Sequence, residues 1–409
     1  MSRPLHAVLL PPAAAAARLL EALPAALDGT GPALLPLDPD LPPARLAELI
    51  AAFAPSTLET AEGTKRAAAP SQRTAAGLPG SGPDDDACVV IATSGSTGRP
   101  KGAQLTAAAL LASARASLAR IGARPGDAWL CCLPVFHMAG LGVLVRSLVA
   151  GTEPVIAARL DAGVLAASGC AHVSVVPTQL RRLLDHGAPL PPAVRTILVG
   201  GAAPPGRLLA DAAAAGAPVV VTYGMSETCG GCVYDGVPLA GVRVEIGADQ
   251  LIRVAGPVLF AGYRLAPEAT AAVLGGGWLR THDLGWFDGT GRLVIRGRTA
   301  DVINTGGEKV VAAEVEAALA SHPGIRDVAV TGVADREWGE RVAALVVPAD
   351  PASPPALSEL RAYLRGRLPG YAAPRDLRLV AEMPLLASGK PDRERLRDLA
   401  AGPDTGTFR

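Results

Sequence analysis

Apolar residues are spaced as in helices and short strands along the first half of the chain. Residues 13–27 and 43–53 have the apolar spacing of short amphipathic helices, and a third helix is predicted at 105–121, with Thr106 as its N-cap. Short apolar runs lie between helical stretches at residues 128–133, 172–176, 196–199 and 218–222. Because such runs are typical of strands buried on both faces, the alternation predicts βαβ units and largely parallel sheets.

The spacing changes at about residue 241. Segments at 242–246, 250–254 and 292–295 alternate apolar and polar residues between glycine turns, which predicts a small antiparallel sheet or barrel. From about residue 298 the predicted elements are helices at 312–320 and 357–367 and strands at 327–333 and 342–347. The sequence therefore predicts an α/β protein with two domains. A large domain at 1–297 has mixed βαβ sheets and a small β-barrel-like subdomain, and a small α+β domain follows at 298–409.

Composition and charge narrow the classes of partner. The 409 residues include 38 Lys and Arg and 38 Asp and Glu, so the formal net charge is zero and no basic field indicates a nucleic acid partner. No signal peptide is recognisable, and no apolar run approaches the ~20 residues of a membrane helix, so no stable membrane insertion is expected. The oligomeric state is left open, a homo-oligomer included.

The six cysteines do not form the pattern of a disulfide framework. Cys229 and Cys232 make the one CxxC pair, and no nearby His completes a zinc site. Small, reduced core residues are therefore favoured over a metal site. Such cysteines predict a cytoplasmic location.

Residues 93–102 have the clearest chemical signature in the chain. An apolar run at 88–92 leads into a segment rich in Gly, Ser and Thr that ends in Pro100, Lys101 and Gly102. Glycine lets backbone N–H groups approach phosphate oxygens, hydroxyls add donors and lysine supplies positive charge. The segment differs from a Walker A loop, in which Gly-Lys-Ser/Thr runs into a helix. A flexible linker is the alternative, but linkers rarely begin on a buried strand, so a polyphosphate-binding loop is favoured.

A second candidate segment, residues 223–228, follows the apolar run at 218–222. Ligands usually bind at strand ends in an open α/β sheet. Glu227 is a candidate ligand for Mg²⁺ that bridges phosphates, Thr228 a candidate phosphate donor, and Tyr223 a flat surface for a base. A solvated turn is the alternative. Further along, Asp283 is suited to accept two ribose hydroxyls, although an isolated Asp carries little information.

Taken in order, these segments resemble the adenylate-forming superfamily of acyl-CoA synthetases, luciferases and peptide-synthetase adenylation domains. The resemblance runs from Cys88 to Arg393, about three quarters of the chain. Within the superfamily, the segments that look most like o-succinylbenzoate–CoA ligases of menaquinone biosynthesis are 133–141, 176–180, 200–204 and 223–236. The resemblance implies the adenylate-forming enzyme fold, in which a small, mobile C-terminal domain rotates between two reaction steps.

The resemblance also implies partners and the residues that bind them. The expected partners are ATP, Mg²⁺, CoA and a small carboxylic acid. Contacts to the ATP phosphates are implied for Thr93, Ser94, Gly95, Ser96, Thr97, Gly98 and Lys101. Contacts to adenine, ribose and the pantetheine of CoA are implied for Gly201, Ala202, Tyr223, Asp283, Arg298, Gly306 and Gly307. Glu227 would hold Mg²⁺, Thr228 would lie near the α-phosphate, and Lys390 would be the catalytic lysine.

The acyl pocket is the least determined part of the predicted site. His137 is expected to line it and to close the thiol channel during adenylation. Further substrate contacts are predicted for Thr178, Gln179, Gly200 and Gly224. Gln179 is equally suited to satisfying backbone groups at a helix start. Arg146, nine residues after His137, is a candidate partner for a polar substrate, and a purely surface position is its alternative.

Two positions depart from the family pattern. Ala300 stands where relatives often carry Asp or Lys at the hinge, and His282 stands where Gly is common before Asp283. A hinge needs only to tolerate a change in φ and ψ, and the carboxylate is retained, so domain rotation and ribose binding are both expected.

The predicted function is an AMP-forming ligase. The chain would activate o-succinylbenzoate as an acyl-adenylate and transfer the acyl group to CoA, with AMP and pyrophosphate as the other products. The alternatives are a CoA ligase for another aryl or short acyl acid and a noncatalytic nucleotide-binding relative.

Overall fold

The computed structural model of the chain describes residues 3–67, 86–93, 100–386 and 391–402. Up to residue 156 its elements are β1 (Leu5–Val8), α1 (Pro12–Asp28), β2 (Ala33–Pro36), α2 (Pro43–Phe53), β3 (Thr57–Thr60), β4 (Gly63–Arg66), β5 (Ala87–Thr93), β6 (Lys101–Thr106), α3 (Ala107–Arg120), β7 (Trp129–Cys131), α4 (Met138–Ala150) and β8 (Val155–Ile156). Up to residue 255 they are α5 (Ala162–Ser168), β9 (His172–Val175), α6 (Pro177–Asp185), β10 (Thr196–Val199), α7 (Gly206–Ala214), β11 (Val219–Met225), β12 (Gly230–Tyr234), β13 (Val237–Pro238), β14 (Arg243–Ile246) and β15 (Leu251–Ala255).

The remaining elements complete the antiparallel segment and the C-terminal region. They are β16 (Gly262–Tyr263), α8 (Pro267–Val273), β17 (Leu274–Gly275), β18 (Trp278–Phe287), β19 (Leu293–Arg298), β20 (Val302–Thr305), β21 (Glu308–Val311), α9 (Ala312–Leu319), β22 (Ile325–Asp335), β23 (Gly339–Pro348), α10 (Leu357–Leu364), β24 (Asp376–Leu379) and α11 (Arg393–Ala401). Short 3-10 helices span Ser226–Thr228, Thr299–Asp301 and Gly370–Ala372.

The first sheet has seven strands in the order β16-β6-β5-β2-β1-β3-β4. β5 and β6 form an antiparallel hairpin in which Thr93 lies opposite Lys101, so the two ends of the candidate phosphate loop are held together. The predicted helices at 13–27 and 43–53 are confirmed as α1 and α2. The helix predicted at 105–121 begins later, because residues up to Thr106 pair with β5 as strand β6. Thr106 is its N-cap, as predicted, and accepts a hydrogen bond from Ala109 N at 3.1 Å.

The second sheet has the order β13-β12-β11-β10-β9-β7-β8 and confirms the predicted parallel core. β8, β7, β9, β10 and β11 are parallel, and the chain then turns back as the antiparallel strand β12. All four apolar runs that predicted strands lie in this sheet as β7, β9, β10 and β11. Helices α4 and α6 connect parallel strands, as expected of βαβ units.

The third sheet contains the segments with the two-residue alternation. β14, β15 and β19 occur there as predicted, together with β17 and the ten-residue strand β18.

The chain divides into two compact units, one formed by 1–201, 215–245 and 253–281 and the other by 202–214, 246–252 and 282–409. The division falls within β18, so the predicted domain boundary at 297/298 remains a prediction.

The second compact unit contains a five-stranded sheet with helices on both faces. β22 and β23 form a long antiparallel hairpin, and β24 adds in parallel. Alternate residues of β23 face opposite cores: Val342, Ala344 and Val346 pack with α9 and α10, and Ala343 and Leu345 pack with α11. The α+β character predicted for the C-terminal region is therefore confirmed. Within the described part of the chain, no helix combines the length and the apolar character needed to cross a bilayer.

Candidate active site

The second sheet gathers most of the predicted acyl and adenine residues at one edge. β7, β9, β10 and β11 are parallel, so the segments that follow them start at the same edge of the sheet. Gly200 follows β10, and its amide donates to the Val175 carbonyl at the end of β9 at 3.1 Å. The predicted residues near this edge are His137, Thr178, Gln179, Gly200, Gly201, Tyr223 and Gly224.

Close packing explains two glycines at this edge. A Cβ on Gly200 would lie 2.5 Å from Thr222 Oγ1, and a Cβ on Gly224 would lie 2.0 Å from the carbonyl oxygen of Gly230. A larger residue at Gly224 would clash with the backbone of the neighbouring strand, and one at Gly200 would displace the Thr222 side chain. Their contacts with substrate remain a prediction, whereas their packing role is independent of any ligand.

Thr228 stabilises the turn that follows β11. Its hydroxyl accepts from Met225 N at 2.9 Å and donates to Gly230 O at 2.7 Å, and the residue is fully buried. These contacts keep the hydroxyl inside the 3-10 helix Ser226–Thr228. Ser226, on the other side of Glu227, is partly buried. The predicted role of Thr228 near the α-phosphate remains untested, and Ser226 is a more accessible hydroxyl that the sequence analysis missed.

Glu227 and Lys101, predicted to bind metal and phosphate, share one aromatic neighbour. The Tyr263 hydroxyl donates to Glu227 Oε1 at 2.6 Å, and Lys101 Nζ lies 5.2 Å from the centroid of the Tyr263 ring. Phe260 N also donates to the Glu227 carbonyl at 2.9 Å. The first compact unit thus brings a carboxylate to the hydroxyl and an ammonium group to the ring face of one tyrosine side chain.

Tyr263 was missed by the sequence analysis. Burial raises the pKa of its phenol, and the Glu227 carboxylate raises the pKa further, so the hydroxyl stays protonated and donates. The residue lies in the two-residue strand β16, for which the sequence has no periodic signal. The antiparallel pairing of β16 with β6 places Tyr263 beside Lys101.

Among the described residues, no carboxylate pairs with the Arg146 guanidinium. Its Nη2 donates to Ser174 Oγ at 3.0 Å, and its guanidinium carbon lies 4.3 Å from the centroid of the Trp129 ring. Its Nε is shielded from solvent without a hydrogen-bond partner in the described structure, and burial lowers the pKa of the guanidinium. The side chain helps to line a small void, with room for about one water molecule, together with Leu110, Ser113, Ala114, Met138, Gly142, Val145 and Cys229.

Other predicted acyl-pocket residues have clear local roles. His137 precedes α4, and its ring lies 4.9 Å from the Phe136 ring in an edge-on arrangement. Gln179 Oε1 accepts from Val176 N at 3.1 Å, and Gln179 Nε2 donates to Cys132 O at 3.5 Å. The Gln179 amide therefore connects the start of α6 to the segment after β7. Thr178 and Gln179 are both partly buried, and their contacts with substrate remain predictions.

In the second compact unit, the structure pairs the two residues predicted to bind ribose. Asp283 on β18 lies opposite Arg298 on β19, and Arg298 Nε donates to Asp283 Oδ1 at 2.9 Å. Asp283 is only 4% exposed, whereas the Arg298 side chain is 62% exposed. The buried carboxylate is therefore oriented by a largely solvated guanidinium. Ala202, predicted to flank adenine, also belongs to this unit, whereas Gly201 belongs to the first.

Gly306 and Gly307 form the tight turn between β20 and β21. Both have left-handed backbone conformations, with φ of 60° and 85°, as a two-residue turn of this hairpin type requires. Gly306 N donates to Trp338 O at 2.8 Å, and a Cβ on Gly306 would lie 2.6 Å from the Trp338 ring. The position needs glycine for both reasons. The predicted contact with pantetheine stays a prediction.

Part of the predicted machinery lies outside the described residues. This applies to Ser94, Gly95, Ser96, Thr97 and Gly98 of the phosphate loop and to the predicted catalytic residue Lys390. Thr93 and Lys101 at the ends of the loop are described, and Thr93 Oγ1 donates to Lys101 O at 3.2 Å.

Metal binding at Glu227 would need ligands beyond the described side chains. Among the described residues, no three or more His, Cys, Asp and Glu side chains converge as a metal site would require. A magnesium ion at Glu227 would therefore take most of its ligands from phosphate oxygens and water, which suits Mg²⁺ chemistry.

Cys229 and Cys232 are both buried, and burial raises the pKa of the Cys232 thiol to about 12.

The chain is similar to proteins with named activities. A probable 2-succinylbenzoate–CoA ligase of Mycobacterium tuberculosis is 45% identical over 334 residues, which cover 78% of this chain and 86% of that protein. The o-succinylbenzoate CoA synthetase of Bacillus subtilis, solved with its acyl-adenylate intermediate, has a TM-score of 0.82 and 28% identity, covering 98% of this chain and 89% of that chain. The same enzyme, solved with ATP and a magnesium ion, has a TM-score of 0.80 and 28% identity, covering 97% and 89%.

Models of two protein domains match the chain in succession. The AMP-binding enzyme model matches residues 17–299, and the model of the AMP-binding enzyme C-terminal domain matches residues 314–390. The first match alone spans more than half of the chain and includes the sheet edge, Lys101, Glu227 and Asp283. Together with the fold, these matches show that the chain belongs to the family of AMP-binding enzymes.

Proposed function

We propose that this chain is an ATP-dependent 2-succinylbenzoate–CoA ligase. It activates the acid as an acyl-adenylate with release of pyrophosphate, and then transfers the acyl group to CoA with release of AMP. The observation that carries the proposal is a cation on helix α4, Arg146, which has no carboxylate partner in the described structure, in a chain 45% identical to a probable ligase of this kind. The reaction belongs to menaquinone biosynthesis.

The two carboxylates of the substrate explain the need for Arg146. One carboxylate must reach the α-phosphate of ATP, so the other is left in a pocket that needs a cation and otherwise apolar walls. A guanidinium binds a carboxylate well because two N–H groups can donate in parallel. Arg146 already uses Nη2 on Ser174, and its Nε has no partner in the described structure. His137 and Thr178 line the pocket closer to the sheet edge.

Each part of the nucleotide has its own predicted residues. Lys101 and the loop after Thr93 bind the phosphates, Tyr223 with Gly201 and Ala202 binds adenine, and the carboxylate of Asp283 accepts the ribose hydroxyls. The side chains present fit a Mg²⁺–nucleotide complex, because a carboxylate, Glu227, and a lysine, Lys101, both contact Tyr263. When bound, Mg²⁺ neutralises phosphate charge as it develops.

Ser226 is a better candidate than Thr228 for the hydroxyl near the α-phosphate. The Thr228 hydroxyl is fully buried and bonded within its own turn, whereas Ser226 is partly buried beside Glu227. A donor at this place stabilises the charge that builds on the phosphate oxygens as the carboxylate attacks.

Two steps at one site require two arrangements of the C-terminal domain. Lys390 supplies a positive charge during adenylation, and the turn at Gly306 and Gly307 borders the path of the CoA thiol in the second step. A unit charge at 4 Å contributes about 4 kcal/mol at an effective dielectric of about 20, roughly a thousandfold in rate.

The gap between the two matched family models, at 300–313, supports a domain boundary near 297/298. Dependence on ATP and CoA supports a cytoplasmic location.

The test is pyrophosphate release from ATP with each of three acids, with and without CoA. The acids are o-succinylbenzoate, benzoate and a medium-chain fatty acid. Selective turnover of o-succinylbenzoate, with AMP and the CoA thioester as products, is the expected result. Turnover with only another acid would keep the mechanism and refute the substrate. Adenylate formation without any thioester would refute CoA as the acceptor.

A further inference from the structure

We propose that Tyr263 is a positioning residue that orients Glu227 toward the magnesium ion of Mg·ATP. This inference rests on the nucleotide site of the proposed function but is independent of which acid is activated. All three residues belong to the first compact unit and to its described part.

The hydrogen bond from Tyr263 restricts the Glu227 carboxylate. The phenol donates to Oε1 at 2.6 Å, a short distance that is typical of a hydrogen bond to a charged acceptor. The backbone of Glu227 is also held, because its carbonyl accepts from Phe260 N at 2.9 Å. With Oε1 used in this way, Oε2 is the oxygen presented to a metal ion. Groups that bond to a metal ligand set its orientation and raise metal affinity.

The face of the Tyr263 ring contacts the lysine. Lys101 Nζ lies 5.2 Å from the ring centroid, over the face of the ring, which attracts cations. No ion pair joins Lys101 to Glu227 in the described structure. Tyr263 therefore contacts the lysine through its ring and the carboxylate through its hydroxyl, and the two contacts can be removed separately.

Backbone pairing fixes the tyrosine in this place. Tyr263 lies opposite Ala103 in the β16–β6 pair, two residues from Lys101 along β6. Its amide donates to Thr270 Oγ1 at 2.8 Å, and its ring lies 4.9 Å from the Phe260 ring in an edge-on arrangement. The phosphate strand and the metal carboxylate are thus connected through one rigid side chain.

The test compares Tyr263→Phe with the wild-type protein in Mg·ATP binding without any acid, measured by titration calorimetry at a series of Mg²⁺ concentrations. Phenylalanine keeps the ring under Lys101 and removes only the hydroxyl. We expect the Mg²⁺ concentration for half-maximal binding to rise about tenfold. ATP binding measured in EDTA should change by less than about twofold. An unchanged Mg²⁺ requirement in Tyr263→Phe overturns the proposal.

Two further variants separate positioning from general stability. Tyr234→Phe removes another buried phenol hydroxyl, which lies 2.7 Å from Ser117 Oγ, and should leave the Mg²⁺ requirement unchanged. In a Glu227→Gln background, Tyr263→Phe should add less than about twofold, because the tyrosine acts through the carboxylate. A full tenfold effect in that background would show that Tyr263 acts elsewhere.

The assay also distinguishes this inference from the proposed function. If wild-type protein binds Mg·ATP but turns over no o-succinylbenzoate, the substrate assignment fails and the Tyr263 comparison still decides the inference. If the wild-type protein shows no Mg²⁺-dependent ATP binding at all, the inference is refuted together with the nucleotide site.

Discussion

Replacing Arg146 by methionine should remove selectivity for an acid with a second carboxylate. Methionine has a similar length and no charge, so the change removes the cation and leaves most of the apolar volume filled. Arg146 has no carboxylate partner in the described structure, so its loss leaves no buried anion unpaired. The bond to Ser174 is lost, but the fold should persist, because a desolvated guanidinium contributes little net stability.

The size of the effect follows from the contacts that the guanidinium can make. A hydrogen bond to a charged group contributes about 1.5–3 kcal/mol, and about 1.4 kcal/mol corresponds to a factor of ten. Arg146→Met should therefore lower kcat/KM for o-succinylbenzoate by about 10- to 150-fold. Benzoate lacks the second carboxylate, so its kcat/KM should change by less than about threefold.

The assay is pyrophosphate release with both acids at saturating Mg·ATP, accompanied by thermal unfolding. Arg195→Met is the matched control. Arg195 pairs with Asp127, and the two residues lie just before β10 and β7, at the end of these strands away from the candidate site. That variant should lower the melting temperature and leave the ratio of the two acids unchanged. An equal loss with o-succinylbenzoate and benzoate in Arg146→Met would refute a contact between Arg146 and the second carboxylate.

Three other predictions concern separate parts of the chain. Lys390→Ala should abolish adenylate formation and leave thioester formation from supplied acyl-adenylate largely intact; equal loss of both steps would contradict the division of labour between them. Asp283→Asn should raise KM for ATP by about tenfold with little change in KM for the acid. The reason is that residue 283 loses the charge-assisted bond from Arg298 and becomes a weaker acceptor for the ribose hydroxyls. A change confined to KM for the acid would exclude a ribose role. His172 has a pKa lowered from 6.5 to about 4, mainly by burial and then by Arg146, so the unfolded chain takes up a proton at a higher pH than the folded one. Stability should fall by up to about 3 kcal/mol as pH drops from 6.5 toward 4, and His172→Gln should flatten this slope in denaturant unfolding; an unaltered slope would assign the acid sensitivity to other groups.

Most regular elements with a strong local pattern could be predicted from the sequence. Helices α1 and α2 and strands β7, β9, β10 and β11 occur within a few residues of their predicted bounds. Each has a continuous apolar run or a helical apolar spacing that matches the face it buries. The start of α3 was predicted too early because Leu105 fits an amphipathic helix by spacing, but it is fully buried in strand β6.

The candidate site was predictable where it depends on residue type and order. Lys101, Glu227, Asp283 and Arg298 stand out because their neighbours form recognisable segments, and the structure brings Asp283 and Arg298 into direct contact. Arg146 could not be assigned from sequence, because its distance along the chain from His137 does not reveal which way a helical side chain points. The cavity that it lines and its contact with Ser174 resolve that question in favour of an interior position.

The sequence by itself determined the order of elements, the family and the residues predicted to bind phosphate, metal and ribose, because these depend on local spacing and on short motifs. Only the tertiary structure decided which groups meet. Tyr263 contacts Glu227 across 36 positions of the chain, and Thr228 is confined to its turn while Ser226 stays accessible. Such contacts depend on strand pairing and burial, which distant parts of the chain impose and which no local pattern encodes.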